Sequence, residues 1–259
     1  MVLPIRRNGG STDVEFGAMT YCVGLLVDTG LVMLSDSRTN AGVDQINTFR
    51  KMATFQQPND RVLVLMSAGN LGITQAVINL LEAPDDTQQK TRFLSATNMF
   101  NAARVVGDAL REIHERDAED LREHGYEFNG TFILGGQIKG EEPRLFHIYS
   151  AGNFIESSVD TPYFQIGESK YGKPIIDRVI SRSSSLAQAA KCALVSMDST
   201  IRSNLSVGPP LDLAIIKRDE LRLSTHISID LDNEYFKMIR ERWGFALQEV
   251  FSELPNPDW

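Results

Sequence analysis

Three residues in the first fifth of the chain could do chemistry together. Thr20 stands directly ahead of the first convincing apolar run, "TYCVGLLV", Asp36 closes the next inside "LSDSRTNAG", and Lys51 lies within a third, "TFRKMATF". Alternation along that third run places Lys51 and Phe49 on one face. A lysine turned into a core is costly unless a carboxylate pairs with it and hydrogen bonds complete its shell. Asp36, on a neighbouring strand, is the partner at hand; the alternative is Lys51 on a solvated edge and Asp36 in a turn. A threonine hydroxyl is a weak nucleophile that needs an adjacent base. The four histidines are too scattered to supply one from local spacing, whether as a metal cluster or as part of a Ser-His-Asp set.

Other motifs carry less. His114-Glu115 on a helical stretch lacks the second histidine that a zinc-protease motif needs four positions on, where Ala118 stands. "GGQIKG", Gly135 to Gly140, has no Lys-Ser or Lys-Thr after it and reads as a turn between strands rather than a phosphate loop. Asn129-Gly130-Thr131 is a formal glycosylation sequon, irrelevant outside a secretory path. Neither a metal nor a cofactor is expected.

The elements that must position Thr20, Asp36 and Lys51 can be read from periodicity. Val- and Leu-rich runs to either side of Asp28-Thr29-Gly30 form a hairpin. "FRKMATF" and, after the turn Pro58-Asn59-Asp60, "RVLVLMSAG" add two strands. "NLGITQAVINLLEA" is a helix stopping at Pro84, and a longer helix runs from a cap near Ser95 or Thr97 to Gly125, its charged far half a solvated face. "GTFILGGQI", "RLFHIYS", "NFIESS" and "YFQIGES" are strands; "YGKPIIDRVI" and "SLAQAAKCALVSMDSTIRSNL" are helices. "PLDLAIIKR" and "LRLSTHISI" are strands again, and "DNEYFKMIRERWGFALQEVF" is a last helix before Pro255. Strand blocks alternating with helix pairs, apolar on both faces, predict two stacked sheets between helical layers. The expected class is α+β, a four-layer αββα sandwich.

Composition narrows the function. With 26 basic and 34 acidic residues among 259, a net charge of −8, the chain has no basic field for nucleic acid or anionic lipid. Cys22 and Cys192 lie far apart, without CxxC or metal-type spacing, which fits a reducing compartment. No apolar run reaches the length of a membrane span, and residues 1–18 lack the apolar core of a secretion signal. A cytoplasmic protein is expected, one domain over residues 20–259, with residues 1–19 a loose leader.

The stretch "MTYCVGLL…LVMLSDSRTNAGVD…TFRKM…LVLMSAGN…TQAV" resembles the opening of a proteasome-type β subunit, and most closely the bacterial ancestral β-subunit (Anbu) family, in element order from Met19 to near the end. The resemblance implies the N-terminal-nucleophile sandwich and a threonine peptidase acting on peptides or unfolded protein. Thr20, once the chain's first residue, would supply both the hydroxyl and the α-amine, whose pKa of about 7.7–8.0 suits it to take the proton through a water. Lys51 would favour the neutral amine and Asp36 would hold Lys51 charged. By the same match Gly69, in "SAGN", supplies an oxyanion N–H, and Ser169, in "IGES", assists the amine; their alternatives are a turn glycine and a helix N-cap. Where many proteasome subunits carry an aspartate and then a serine, this chain has "RSNLSVGPP". Ser206 takes the serine's place, but Ser203 or Asn204 stands near the aspartate's, and the upstream Asp198 is not expected to replace it.

The leader decides whether this chemistry can run, because Thr20 has a free amine only if residues 1–19 are absent. Met19 is expected to be the true start, removed by methionine aminopeptidase, with residues 1–18 either an artefact of start assignment or a leader that must be cut. A ring or spiral homo-oligomer is implied, with any ATPase partner unassigned. The last helix carries Tyr235, Phe236, Met238, Trp243, Phe245 and Leu247, which suit either core packing or an interface. Two further readings share the fold: an N-terminal-nucleophile hydrolase of small amides, and an assembly scaffold of weak catalytic power.

Overall fold

The structure is a computed structural model that describes residues 20–40, 46–85 and 90–259. Fourteen strands and five helices follow one another in the described residues: β1 (Tyr21–Val27), β2 (Gly30–Asp36), β3 (Arg38–Asn40), β4 (Ile46–Thr48), β5 (Met52–Gln57), β6 (Arg61–Gly69), α1 (Leu71–Glu82), β7 (Pro84–Asp85), β8 (Lys90–Thr91), α2 (Met99–Glu123), β9 (Gly130–Ile138), β10 (Arg144–Ile148), β11 (Phe154–Glu156), β12 (Tyr163–Gly167), α3 (Ser169–Val179), α4 (Leu186–Ser203), β13 (Leu211–Lys217), β14 (Thr225–Ile229) and α5 (Glu234–Glu253).

Two antiparallel five-stranded sheets carry the architecture, one in the order β12-β1-β2-β13-β14 and the other β11-β10-β9-β6-β5. Side chains alternate across each strand, so each sheet buries two faces. Cys22, Leu26, Leu31 and Met33 meet Val62, Val64, Met66 and Ile133 between the sheets. The intervening residues Tyr21, Val23, Leu25, Val32 and Leu34 pack outward on buried residues of α3, α4 and α5. On the far side Leu63, Leu65, Phe132 and Leu134 pack on α1 and α2. The layers are therefore α-β-β-α, as the periodicity predicts.

Local signals set the boundaries. Asp28 and Thr29 turn the β1–β2 hairpin, with Val27 opposite Gly30, and α1 ends at Ala83 before Pro84. Three details differ from expectation. The cap of α2 is Asn98, whose side chain accepts from the Asn101 amide, while Ser95 Oγ donates to the Thr91 carbonyl and Thr97 Oγ1 accepts from the Asn101 side chain. Gly135 and Gly136 lie within β9 opposite Val64 and Leu63, so the turn after them begins only at Lys139. Lys51 sits just ahead of β5, and the short β3–β4 hairpin between Asp36 and Lys51 was not legible as strands.

Candidate active site

Asp36 is the last residue of β2 and is wholly buried. Its Oδ1 accepts from Lys51 Nζ at 2.7 Å and from the Tyr21 amide at 3.0 Å, and its Oδ2 accepts from the Gly208 amide at 3.4 Å. Lys51, almost as buried, gives a second hydrogen bond to the Arg38 carbonyl at 2.7 Å. Its own carbonyl accepts from the Ser67 amide at 2.9 Å, which fixes the lysine's backbone to β6. Burial pushes the Asp36 carboxyl above its ordinary range, and the Lys51 ammonium and the two amides oppose that shift by binding the charged form. A buried pair with this many partners meets the condition under which desolvation is offset. Lys51 and Asp36 face each other in the interior rather than a solvated edge and a turn.

Thr20 is also buried, one residue ahead of β1. Its carbonyl accepts from the Glu168 amide at 2.7 Å. Close approach here depends on Gly167, which pairs with Tyr21, has φ +79°, and would carry a Cβ only 1.8 Å from the Thr20 carbonyl oxygen. The following Tyr21 is doubly pinned: its amide to Asp36, and its buried hydroxyl to Ser196 on α4 and to the Gln165 side chain on β12. Burial pushes that hydroxyl's pKa up, so it stays neutral. Ser169 is the first residue of α3, next to Glu168. The cap position is Glu168, which makes no side-chain capping bond, so the N-cap alternative for Ser169 is not what the helix uses.

Gly69 ends β6 with φ +110°, a conformation that L side chains rarely adopt, and an added Cβ would lie 2.7 Å from the Asn129 carbonyl oxygen. The next residue, Asn70, donates its amide to the Asn129 side chain at 2.7 Å and caps α1 through its own side chain. Cys22 Sγ lies 3.7 Å from the Ser67 carbonyl. Counting two residues back to Thr20 and two on to Gly69 puts both at the same end of the space between the sheets.

Ser206 lies on the loop from α4 to β13, its amide bonded at 2.9 Å to the side chain of Asn204, the C-cap of α4. Arg38 Nη1 donates to the Leu205 carbonyl at 2.8 Å, and Ser37 Oγ donates to the Pro210 carbonyl at 2.5 Å. Asp198 is committed elsewhere. It is fully buried and held by Arg202 at 2.9 Å and by Arg240 of α5 at 2.8 Å, so it fastens two helices. Among the described residues no group of three metal-ligating side chains comes together, and no helix is long and apolar enough to cross a membrane. His114 packs edge-on against Phe128, with ring centroids 4.8 Å apart.

Sequence reasoning brought forward Thr20, Asp36, Lys51, Gly69, Ser169 and Ser206, and missed Arg38, Tyr21, Gly167 and Gly208. Gly167 alone carried a signal, as a glycine between a strand and a helix start. The others act through contacts between residues far apart in sequence.

A threonine heading a strand, a buried Lys-Asp pair bonded to the amide of the next residue, and two stacked sheets between helical layers define a chain of the proteasome β-subunit type. It belongs to the Anbu, or ancestral β-subunit, family. Anbu from Yersinia bercovieri is 52% identical over 92% of this chain and 99% of that one, with a TM-score of 0.86. The structure described as the helical assembly of the Anbu complex from Pseudomonas aeruginosa is 46% identical over 92% and 98% of the two chains, also with a TM-score of 0.86. A proteasome subunit beta of Haloquadratum walsbyi is 21% identical over 83% of this chain and 80% of its own. No family model matches the chain.

Proposed function

We propose that the protein is a threonine peptidase that hydrolyses peptide bonds by acyl transfer to Thr20 once residues 1–19 are absent. The observation that carries this reading is the buried Asp36–Lys51 pair, tied through the Tyr21 amide to the residue after Thr20. Thr20 Oγ attacks the scissile carbonyl carbon while its proton passes, through a water, to the neutral α-amine of the same residue. The charged Lys51 disfavours a second positive charge on that amine, and Asp36 keeps Lys51 charged and in place. The Gly69 N–H receives the oxyanion, a contribution on the order of 3 kcal/mol for such a donor. The amine's proton goes to the leaving nitrogen, and water then hydrolyses the Thr20 ester. Ser169 and Ser206 hold the amine from the α3 and α4–β13 sides.

Self-association belongs to the same reading. It is supported by the helical assembly named for the Pseudomonas relative and by the outer half of α5, where Phe245 and Phe251 are 68% and 77% exposed. One observation favours the scaffold alternative: Ser203 and Asn204, the last residue and the C-cap of α4, put no carboxylate where many proteasome subunits have one.

Mature-protein mass and activity test the proposal together. A chain beginning at Thr20 is expected to cleave fluorogenic peptides and to add one equivalent of a threonine-directed electrophile, and Thr20→Ala to do neither while assembling normally. A purified chain that still carries residues before Thr20, or a processed one inert to the electrophile, sinks the catalytic reading.

A further inference from the structure

The loop bearing Ser206 has no carboxylate of its own to hold it, yet it closes against the Asp36–Lys51 pair. Its anchor comes from outside. Arg38, half-buried at the start of β3, donates Nη1 to the Leu205 carbonyl at 2.8 Å. Its guanidinium lies flat beneath Gly208: a Cβ there would be 2.4 Å from Arg38 Cζ, 2.6 Å from Nη2 and 2.7 Å from Nε. Nε is buried with no hydrogen-bond partner among the described residues. Gly208 in turn gives its amide to Asp36 Oδ2 at 3.4 Å. The Arg38 carbonyl accepts from Lys51 Nζ at 2.7 Å, and Lys51 binds Asp36 Oδ1 at 2.7 Å. The contacts form a closed circuit from Asp36 to Lys51, to the Arg38 backbone, through the Arg38 side chain to residues 205–208, and back to Asp36.

We infer that Arg38 is a positioning residue for the Thr20 site: its guanidinium seats the Ser206 loop, and so registers that loop to the Asp36–Lys51 pair. The inference rests on the reading of Thr20 as nucleophile for its catalytic consequence, but the seating itself does not. The physical reason for arginine is geometric. A planar fork can present an N–H to a carbonyl while its face packs under a glycine, whereas a lysine offers only a point charge on a flexible stem. Only glycine at 208 admits that plane.

Two variants disturb the seat differently. Arg38→Ala removes the guanidinium; Gly208→Ala keeps it but pushes it aside with a methyl. Hydrogen exchange is read first, on backbone amides 204–208. Both variants are expected to exchange faster there than the unsubstituted protein, with protection in β6 and β9 unchanged. On peptide substrate both are expected to lower kcat by roughly tenfold to a hundredfold, the scale of a small misplacement near a reacting group, with KM within about twofold. The Arg38→Ala/Gly208→Ala double variant is expected to be no worse than Arg38→Ala alone, because one contact cannot be lost twice. Arg38→Lys is expected to fall short of full activity.

Unchanged exchange at 204–208 in both single variants overturns the seating. Multiplying effects in the double variant, or full activity in Arg38→Lys, overturns the shared-contact argument and assigns any effect to charge alone. Should Arg38→Ala fail to fold, Gly208→Ala still reads the seat. If the unsubstituted protein with a free Thr20 cleaves no peptide, the proposed function has failed. The exchange data and the rate of electrophile addition to Thr20 then judge Arg38 separately.

Discussion

Gly167, beside Thr20, and Asp212, buried on β13, represent opposite ways in which a single residue sets the behaviour of this protein. Gly167 is needed for what it lacks. A Cβ would sit 1.8 Å from the Thr20 carbonyl, and φ of +79° is strained for any other residue. Gly167→Ala is therefore expected to displace Thr20, lowering kcat roughly a hundredfold and stability by about 1–2 kcal/mol. Peptide turnover and a thermal melt check both effects; wild-type values for each would refute the close approach. Asp212 is costly for what it keeps. It is 4% exposed, faces the space between the sheets with Ala214, and its Oδ2 has no hydrogen-bond partner among the described residues. Burial pushes its carboxyl above the ordinary range, against the opposing charges of Arg50 and His226. A raised folded value means the folded state holds a proton that the unfolded state has released, so stability falls as pH rises through that window. Asp212→Asn is expected to remove this dependence. It should raise the melting temperature by a few degrees at pH 8, about 1 kcal/mol, and leave it unchanged at pH 3. Equal melting temperatures at both pH values would show the carboxylate to be satisfied.

At the scale of elements, Asp198 separates a structural role from a catalytic one. Its two oxygens meet Arg202 in its own helix and Arg240 in α5, and it is wholly buried. Asp198→Asn is expected to cost about 2 kcal/mol, the worth of charge-assisted bonds lost at a buried acceptor. Exchange should rise in α5 while kcat stays within about twofold. A stable Asp198→Asn protein with no turnover would instead place Asp198 in the site. The strands and helices themselves were legible because each writes its own period: alternation in "TYCVGLLV", a turn in Asp28-Thr29-Gly30, a stop at Pro84. Tertiary distance defeated the rest. Nothing near position 38 announces that its side chain will lie under Gly208, and nothing in "YFQIGES" announces that Gly167 meets Thr20. The β3–β4 hairpin escaped because three-residue strands are too short to show alternation. Asp36 and Lys51 could be singled out because each breaks an apolar run, a violation that costs energy unless the partner exists.

For the whole molecule, α5 raises the question of what lies beyond one chain. Twenty residues at 1.5 Å each make a helix about 30 Å long. Only its first half is anchored, by buried Phe236 and Ile239 and by the partly buried Trp243. Beyond them Phe245, Leu247, Val250, Phe251 and Leu254 are all exposed. Of the apolar residues expected from the sequence to serve either core or interface, Phe236 and Trp243 join the core while Tyr235, Met238, Phe245 and Leu247 are exposed, and none of the described residues covers the last turns. Exposed apolar surface of this extent marks an association site, and a second copy of the chain is the occupant that the proposed assembly supplies. Phe245→Glu/Phe251→Glu places two charges on that surface without touching the anchored turns. It is expected to shift the protein to smaller species at micromolar concentration, read by light scattering on a sizing column, with the circular dichroism spectrum unchanged. An unaltered assembly would move the interface elsewhere. If the dissociated chain still adds the electrophile at Thr20 yet no longer cleaves peptides, chemistry resides in one chain and substrate binding needs its neighbour.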